Sequence, residues 1–461
     1  MKGKKHMSNR TIAAIATPNA PGGIGTIRIS GEEAVEIAAK VFRPINGKNL
    51  CDFKGYTSAF GGVYDDNEKI DEAVCLVFRA PKSYTGEDVC EISCHGGLYI
   101  TKRTLRAVLD AGASPAEAGE FTKRAFLNGK IDLAGSESVM ALIGASGKQA
   151  ASAALNTLDG NLSKKIRECA DGIIGVCASL AAWVDYPDED IEDISAAQML
   201  PVFEKTKQEL SEIVRRYDCG RAVTDGVDTV IVGKPNVGKS TLMNMLTGFE
   251  RSIVTDIAGT TRDVVEERIM LGEIILRVAD TAGIRETENV VENLGVSLAK
   301  RRLERAELAL AVFDTSVPLN ADDLDIIEQC KSKKSVAILN KADLPAAADR
   351  EVIEKAFPFT IELSASTGAG REKLEQAVAE IMMTNEFDPS AACLTSERQR
   401  QCCIRAMGHI DEAISAIQGG VTLDAVNVCA DCAIDALLEL TGEKATAAVV
   451  DEVFSRFCVG K

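Results

Sequence analysis

The spacing of apolar positions changes rhythm three times along the chain. Over residues 10–133, short β-rich runs at 24–29, 73–78 and 89–93 are interspersed with helical stretches and turn clusters such as Pro21-Gly22-Gly23, which predicts a small α+β domain. From about 134 to 214 the sequence turns alanine-rich with apolar residues at helical spacing, interrupted by an acidic loop at 185–193, and reads as helical. From about 226, β-rich runs at 229–232, 274–279, 308–313, 335–339 and 359–363 alternate with helical stretches. That alternation predicts a doubly wound sheet with its ligands at the C-terminal ends of the strands. Helical periodicity returns after about 383, through 398–418, 423–441 and 445–457. Two helical segments flanking an α/β unit predict one helical domain split by an insertion. The expected architecture is therefore multidomain α/β plus α: a disordered leader at 1–9, an α+β domain at 10–133, helical segments at 134–222 and 384–461, and the inserted domain at 223–383.

The longest apolar run, residues 172–184, has thirteen residues, too few to cross a bilayer, and is read as a buried helix. The basic start, Met1 to Met7, is followed by Ser8, Asn9 and Arg10 with no apolar signal segment behind it. A length of 461 residues favours two or three cores over one. The formal net charge of −17 argues against a free-standing nucleic-acid binder, because phosphate contacts need clustered cations, so an RNA substrate would need a second protein to help hold it. Fourteen cysteines scattered through so long a chain read as reduced thiols, which places the protein in the cytoplasm. Cys429 and Cys432, spaced C-x-x-C in a helical stretch without a second ligand pair, are read as packing and not as a zinc site.

Chemistry enters near the middle of the chain. Gly233-Lys234-Pro235-Asn236-Val237-Gly238-Lys239-Ser240 has the spacing G-x-x-x-x-G-K-[ST], follows an expected strand and opens a helix at Thr241. Glycines let backbone N–H groups wrap phosphates at a helix N-terminus. Lys239 neutralises β- and γ-phosphate charge, and the Ser240 hydroxyl suits Mg2+. By chance the bare pattern occurs in on the order of one in a hundred chains this long. Further on, Asp280-Thr281-Ala282-Gly283 follows the next expected strand. Its carboxylate suits Mg2+ through water, and the Gly283 amide suits the γ-phosphate. Thr260 and Thr261 lie between, with Thr261 placed to complete the Mg2+ shell in the triphosphate state.

Base identity comes from Asn340-Lys341-Ala342-Asp343, after the expected strand 335–339. A carboxylate such as Asp343 accepts from both the ring N–H and the exocyclic amine of guanine, and adenine lacks that second donor. Ser364-Ala365-Ser366, after the next strand, is placed to meet the guanine carbonyl. Four elements in this order predict a Ras-like P-loop domain that binds and hydrolyses GTP.

Ras-like GTPases orient water with a Gln just after D-x-x-G, but Ile284 stands there. Asn236 together with Thr255-Asp256-Ile257-Ala258-Gly259-Thr260-Thr261 resembles the loop of potassium-activated GTPases, in which K+ replaces an arginine finger. The resemblance implies K+ held by Asn236, Thr255, Ile257 and Thr260; a plain loop-capping role is the other reading of Asn236.

The ends of the chain extend the resemblance. Phe457 and Cys458-Val459-Gly460-Lys461 resemble the C-terminal C-[ILV]-G-K signature of the MnmE (TrmE) family of tRNA-modifying GTPases. So do Ala16-Thr17-Pro18, Arg28-Ile29-Ser30-Gly31, Ser83-Tyr84-Thr85-Gly86-Glu87-Asp88, His95-Gly96-Gly97 and Gly119-Glu120-Phe121-Thr122-Lys123-Arg124-Ala125-Phe126, so that the match runs from about Arg10 to Lys461. The resemblance implies an N-terminal dimerisation domain that binds a 5-formyl- or 5,10-methylene-tetrahydrofolate through Arg28, Glu91, Lys130 and Lys461, and a homodimer. It implies tRNA as substrate and a flavoprotein partner, MnmG, that carries FAD and NADH and supplies much of the tRNA-binding surface. Glu292 is implied as the group that positions the attacking water; without the family it is one charge of the acidic stretch 286–292. Cys458 would lie near the folate, or else be a small buried hydrophobe. Two other classes remain: a ribosome-assembly switch of the Era or Der type, which would need a basic KH-like module after the G domain, and a folate enzyme carrying a regulatory GTPase.

Overall fold

The computed structural model describes residues 10–185, 196–249, 266–279 and 302–461. The chain divides into two compact units, one of Met1–Met140, Leu158–Thr206 and Gln401–Lys461, the other of Ala141–Thr157 and Lys207–Arg400. The leader, the K+-loop residues Thr255 to Thr261, the Asp280 to Gly283 element, Ile284 and Glu292 lie outside the described residues.

The first unit is built on a seven-stranded sheet ordered β3-β4-β5-β6-β2-β1-β7. Its strands are β1 (Ile12–Ile15), β2 (Ile24–Ser30), β3 (Phe42–Pro44), β4 (Thr57–Asp65), β5 (Glu68–Phe78), β6 (Val89–His95) and β7 (Ser114–Pro115). Every neighbouring pair is antiparallel except β1 with β7. Alternation along these strands sends Ile27, Ile29, Cys75, Val77, Cys90 and Ile92 into a core shared with the helix Ala34–Val41, and with Ala107 and Val108 of the helix Leu98–Asp110. The intervening Arg28 and Glu91 therefore share the opposite face, directly across from each other in the β2–β6 register. Within the same unit the helices Asn161–Asp185 and Leu423–Thr441 pack together. The second of these ends at Gly442 in the left-handed region, whose N–H bonds back to the carbonyls of Leu438 and Glu439.

The run at 172–184 does form a helix, but its part at 172–179 is not buried. Gly172, Ile174, Gly175, Ala178 and Ser179 are exposed, and Ile173 alone among 172–179 is buried. A run this rich in apolar residues hides the fact that, over 172–179, one position alone is buried.

The second unit carries a six-stranded sheet ordered β13-β12-β11-β8-β10-β9. The strands are β8 (Val227–Val232), β9 (Glu266–Leu271), β10 (Ile274–Ala279), β11 (Leu308–Asp314), β12 (Lys334–Asn340) and β13 (Phe359–Glu362). All neighbours are parallel except the β9–β10 hairpin, which turns at Gly272 in the left-handed region. β11 is buried at every position because cores lie on both of its faces, as a parallel central strand requires. β9 is not expected from sequence, since Glu266, Glu267 and Arg268 occupy half of a short edge strand. Helices Lys239–Phe249, Ala321–Cys330, Arg350–Ala356 and Arg371–Ile381 follow β8, β11, β12 and β13.

Candidate nucleotide site and a second ionic cluster

The phosphate loop leaves the end of β8 and re-enters helix at Lys239. Its backbone is shaped by two close approaches. A Cβ at Gly233 would meet the Val312 carbonyl of β11 at 2.7 Å, and one at Gly238 would meet Asn340 Nδ2 at 2.3 Å, where φ is also +98°. Asn236 holds φ at +63°, a conformation Asn tolerates better than most side chains, and its side chain is exposed. The Lys239 ammonium donates to the carbonyls of Gly233 and Lys234, each at 2.8 Å, and burial pushes its pKa down from the ordinary lysine value. Ser240 and Thr241 stand at the N-terminus of the helix Lys239–Phe249, where unpaired N–H groups and the helix dipole favour phosphate.

One side chain joins the phosphate half of the site to the base half. Asn340, 2 % exposed at the end of β12, donates Nδ2–H to the Val237 carbonyl at 2.8 Å and accepts the Ala365 N–H on Oδ1 at 3.0 Å. The loop after β12 is thereby fixed to both the phosphate loop and the 364–366 segment. Lys341, at φ +62°, donates to Asp314 Oδ2 at 2.5 Å. Burial would raise the Asp314 carboxyl, but the bonds from Lys341 and from Ser316 N and Oγ hold it below the usual carboxylate value. Ser364 Oγ and Ser366 Oγ share a bond of 3.0 Å, and Ser364 N donates to Ala369 O. Asp343 is exposed beside this framework, with its carboxylate available to a ligand edge. The expected residues 236–241, 340–343 and 364–366 thus converge at the C-terminal ends of β8, β12 and β13. The donor set fits a purine nucleotide diphosphate or triphosphate: backbone N–H groups, one ammonium, one hydroxyl for a divalent cation and one carboxylate for a base edge.

A second cluster lies in the first unit. Arg28 Nε donates to Glu91 Oε1 at 2.8 Å, and its Nη1 donates to the carbonyl of Gly460 at 3.1 Å. The guanidinium lies 5.5 Å from the ring centroid of Tyr84 and 5.6 Å from that of Phe121. The C-terminal tail is seated by an antiparallel bridge between Ala118 and Val459, with Gly119 N donating to Cys458 O. At Gly460, where φ is +100°, a Cβ would meet the Ile15 carbonyl at 2.2 Å, so glycine alone fits. Burial lowers the Lys461 pKa, the Arg28 charge lowers it further, and Glu91 opposes them, so all three groups share one field. Lys130 is exposed and donates to Pro81 O at 3.2 Å, on the loop that carries Tyr84. Three of the four residues implied for folate are therefore brought together, with two cations around one carboxylate.

Sequence reasoning does not single out Tyr84 and Phe121, although both stand inside the resembling segments at 83–88 and 119–126. Those segments also form a buried ionic network: Arg124, 3 % exposed, donates to Glu87 and Glu120, and Arg10 donates to Glu120. Cys458 is exposed, which excludes the buried-hydrophobe reading. Cys432 is exposed and Cys429 half-buried, so packing does not account for the C-x-x-C pair. Among the described residues, no group of three or more His, Cys, Asp or Glu could hold a metal, and no helix is long and apolar enough to cross a membrane.

Comparison with known proteins covers nearly the whole chain. The family model described as MnmE helical domain matches residues 133–458, and that described as GTP-binding protein TrmE N-terminus matches 11–130. A protein of Acetivibrio thermocellus named tRNA modification GTPase MnmE is 40% identical over 456 residues, covering 98% of this chain and 99% of its own. Its namesake in Clostridioides difficile is 39% identical over 454 residues with the same coverage. Among solved structures, a point variant of Aquifex aeolicus Era bound to GDP and AlF4− aligns at 29% identity over 40% of this chain and 66% of that one, with a TM-score of 0.28. An N-terminal domain, a helical domain and a P-loop GTPase element in one chain, matched over nearly its full length, establish that this protein belongs to the MnmE family of GTPases.

Proposed function

We propose that this GTPase acts in tRNA modification: with an MnmG-type flavoprotein that carries FAD and NADH, it installs an aminomethyl or carboxymethylaminomethyl group at C5 of the wobble uridine. The observation that carries the GTPase half is the Asn340 side chain, which ties the phosphate loop to the base-reading loop through two hydrogen bonds. Hydrolysis follows from charge. Lys239, backbone N–H groups and the helix N-terminus meet the phosphates, and Asp343 selects guanine. Ser240 and Thr261 are assigned to Mg2+, Asn236, Thr255, Ile257 and Thr260 to K+, and Glu292 to the attacking water. K+ held there would supply positive charge against the charge that develops on the phosphates during hydrolysis.

The domain boundaries proposed are 10–133 for the N-terminal domain, 134–222 and 384–461 for the split helical domain, and 223–383 for the G domain, with a cytoplasmic homodimer as the working form. The cluster of Arg28, Glu91 and Lys461 is assigned to a tetrahydrofolate, with Lys130 from the adjoining loop. Its support is chemical: cations suit the folate's glutamate carboxylates, and Glu91 suits the pterin's amino and ring N–H donors. The bound folate supplies the one-carbon unit.

The deciding experiment is steady-state GTP hydrolysis by the full-length protein in KCl and in NaCl at equal ionic strength. Acceleration in K+ that is lost in Asn236→Ala supports the cation assignment, and equal slow rates in both salts overturn it. Wobble-uridine analysis of tRNA from cells carrying Glu292→Ala tests the coupling. Loss of modification with GTP binding intact supports it, and full modification refutes it.

A further inference from the structure

The phosphate loop is fastened at two points, and only one of them belongs to the base-reading element. Asn340 fastens Val237, in the second half of the loop. The first half is fastened by Lys234, whose ammonium donates to Asp323 Oδ2 at 2.6 Å. Both groups are withdrawn from water, with side-chain exposures of 13 % for Lys234 and 1 % for Asp323. Asp323 is itself immobilised. It is the third residue of the helix Ala321–Cys330, its Oδ2 accepts the Asn320 N–H at 3.0 Å, and its N–H donates to Asn320 Oδ1 in a reciprocal cap. The carbonyl of Lys234 is in turn one of the two acceptors of the Lys239 ammonium. A chain of named contacts therefore runs from the cap of this helix, through one buried ion pair and one backbone carbonyl, to the ammonium that meets the phosphates.

We propose that Asp323 and Lys234 form a positioning brace for GTP binding: the ion pair holds the first half of the phosphate loop in its nucleotide-receiving shape and presets Lys239. Neither residue needs to touch the nucleotide. The second residue of G-x-x-x-x-G-K-[ST] is open to any side chain in the bare motif; here it is a lysine paired with a carboxylate on another helix. Loss of the carboxylate leaves a cation buried without compensation, and the free loop relaxes to hydrate it; nucleotide binding must then reverse that relaxation and bury the unpaired cation again, a cost drawn from the binding energy. The effect is therefore on affinity more than on turnover.

The inference rests on the GTPase reading, and one set of measurements separates the two. Dissociation constants for a fluorescent GDP analogue, and kcat and KM for GTP, are compared in full-length wild type, Lys234→Met, Lys234→Arg, Asp323→Asn and the double variant Lys234→Met/Asp323→Asn. Lys234→Met leaves the helix cap intact and keeps the test valid should Asp323→Asn fold poorly. The expected result is a rise of about tenfold in KM and in the GDP dissociation constant for Lys234→Met, with kcat within about twofold of wild type. Lys234→Arg should restore most of the loss, and the double variant should be no worse than the worse single. Wild-type affinity in Lys234→Met, fully multiplicative losses in the double variant, or a fall in kcat at unchanged affinity would each overturn the brace. Failure of the wild type to bind GDP would overturn the GTPase reading instead.

Discussion

The nucleotide site and the Arg28 cluster hold their charged groups in opposite ways. In the nucleotide site the functional groups come from three short loops at the ends of parallel strands, and their internal contacts are mostly with backbone carbonyls and N–H groups: Lys239 on Gly233 and Lys234, Asn340 on Val237 and Ala365. Such bonds are easily exchanged for bonds to phosphate. In the Arg28 cluster one pair is already made, Arg28 with Glu91 at 2.8 Å, the tail carbonyl at Gly460 completes the guanidinium's partners, and the Lys461 cation stands in the same field. A ligand there must join an ionic set that is already partly paired, while a nucleotide enters an open cradle. The first arrangement favours rigidity and the second favours large changes in occupancy.

The sharpest break of this comparison is in the cradle. Lys239→Ala removes the ammonium directed into the loop carbonyls and should reduce GTP hydrolysis by on the order of a hundredfold or more, measured as steady-state phosphate release. Asp343→Asn should weaken GTP by a comparable factor, because the amide presents an N–H where the guanine amine needs an acceptor. The same variant should gain affinity for xanthosine triphosphate, whose base carries a carbonyl at that position. Competitive binding with the two triphosphates reads both effects. Equal affinities in wild type and variant would remove Asp343 from base recognition.

The contrast also explains what could be seen in the sequence. The cradle is contiguous chemistry: 233–240, 340–343 and 364–366 each fit one loop, and each follows an apolar run long enough to declare a strand. The α/β alternation was legible for the same reason, down to β8, β10, β11 and β12 within a few residues of the expected limits. The Arg28 cluster joins residues 28, 91 and 460, which only the β2–β6 register and the seated tail bring together, so no spacing rule could find it and the family resemblance alone pointed there. Tyr84 and Phe121 are hidden differently, since an aromatic residue in a loop or on a helix carries no sign that a guanidinium lies against it. Burial of the 172–184 helix does not follow from its composition, because apolar content does not say how many faces find a partner.

Within the Arg28 cluster, Arg28→Ala takes from the Glu91 carboxylate, at 21 % side-chain exposure, the cation bonded to it. A loss on the order of 2 kcal/mol in the unit that contains it is expected in urea unfolding, together with loss of folate binding by isothermal calorimetry. Gly460→Ala should act more gently. The added Cβ cannot fit 2.2 Å from the Ile15 carbonyl, but the tail can detach and relieve the clash. Little change in global stability but markedly faster release of Lys461 by carboxypeptidase is the expected result. A tail equally resistant in both proteins would show that the bridge from Val459 to Ala118 suffices without Gly460.

The smallest effect asks whether the open cradle also stores charge-dependent stability in its frame. Asp314 lies outside the phosphate contacts, yet it fixes Lys341 and its own turn through three bonds. Its carboxyl is held below the ordinary value of 3.8 despite burial, so the native state keeps the charged form where the unfolded chain has begun to take up a proton. The unfolded state therefore binds more protons in that window, and the stabilisation is fully present above the ordinary value and is lost as pH falls through the native one. In urea titrations of the full-length protein from about pH 6 to about pH 3, wild type should lose this contribution below about pH 4. Asp314→Asn should begin less stable, because Lys341 loses its anion, and should then show a shallower decline over the same acid range. Parallel declines in the two proteins would mean that the Asp314 charge is no more stabilised in the fold than in water.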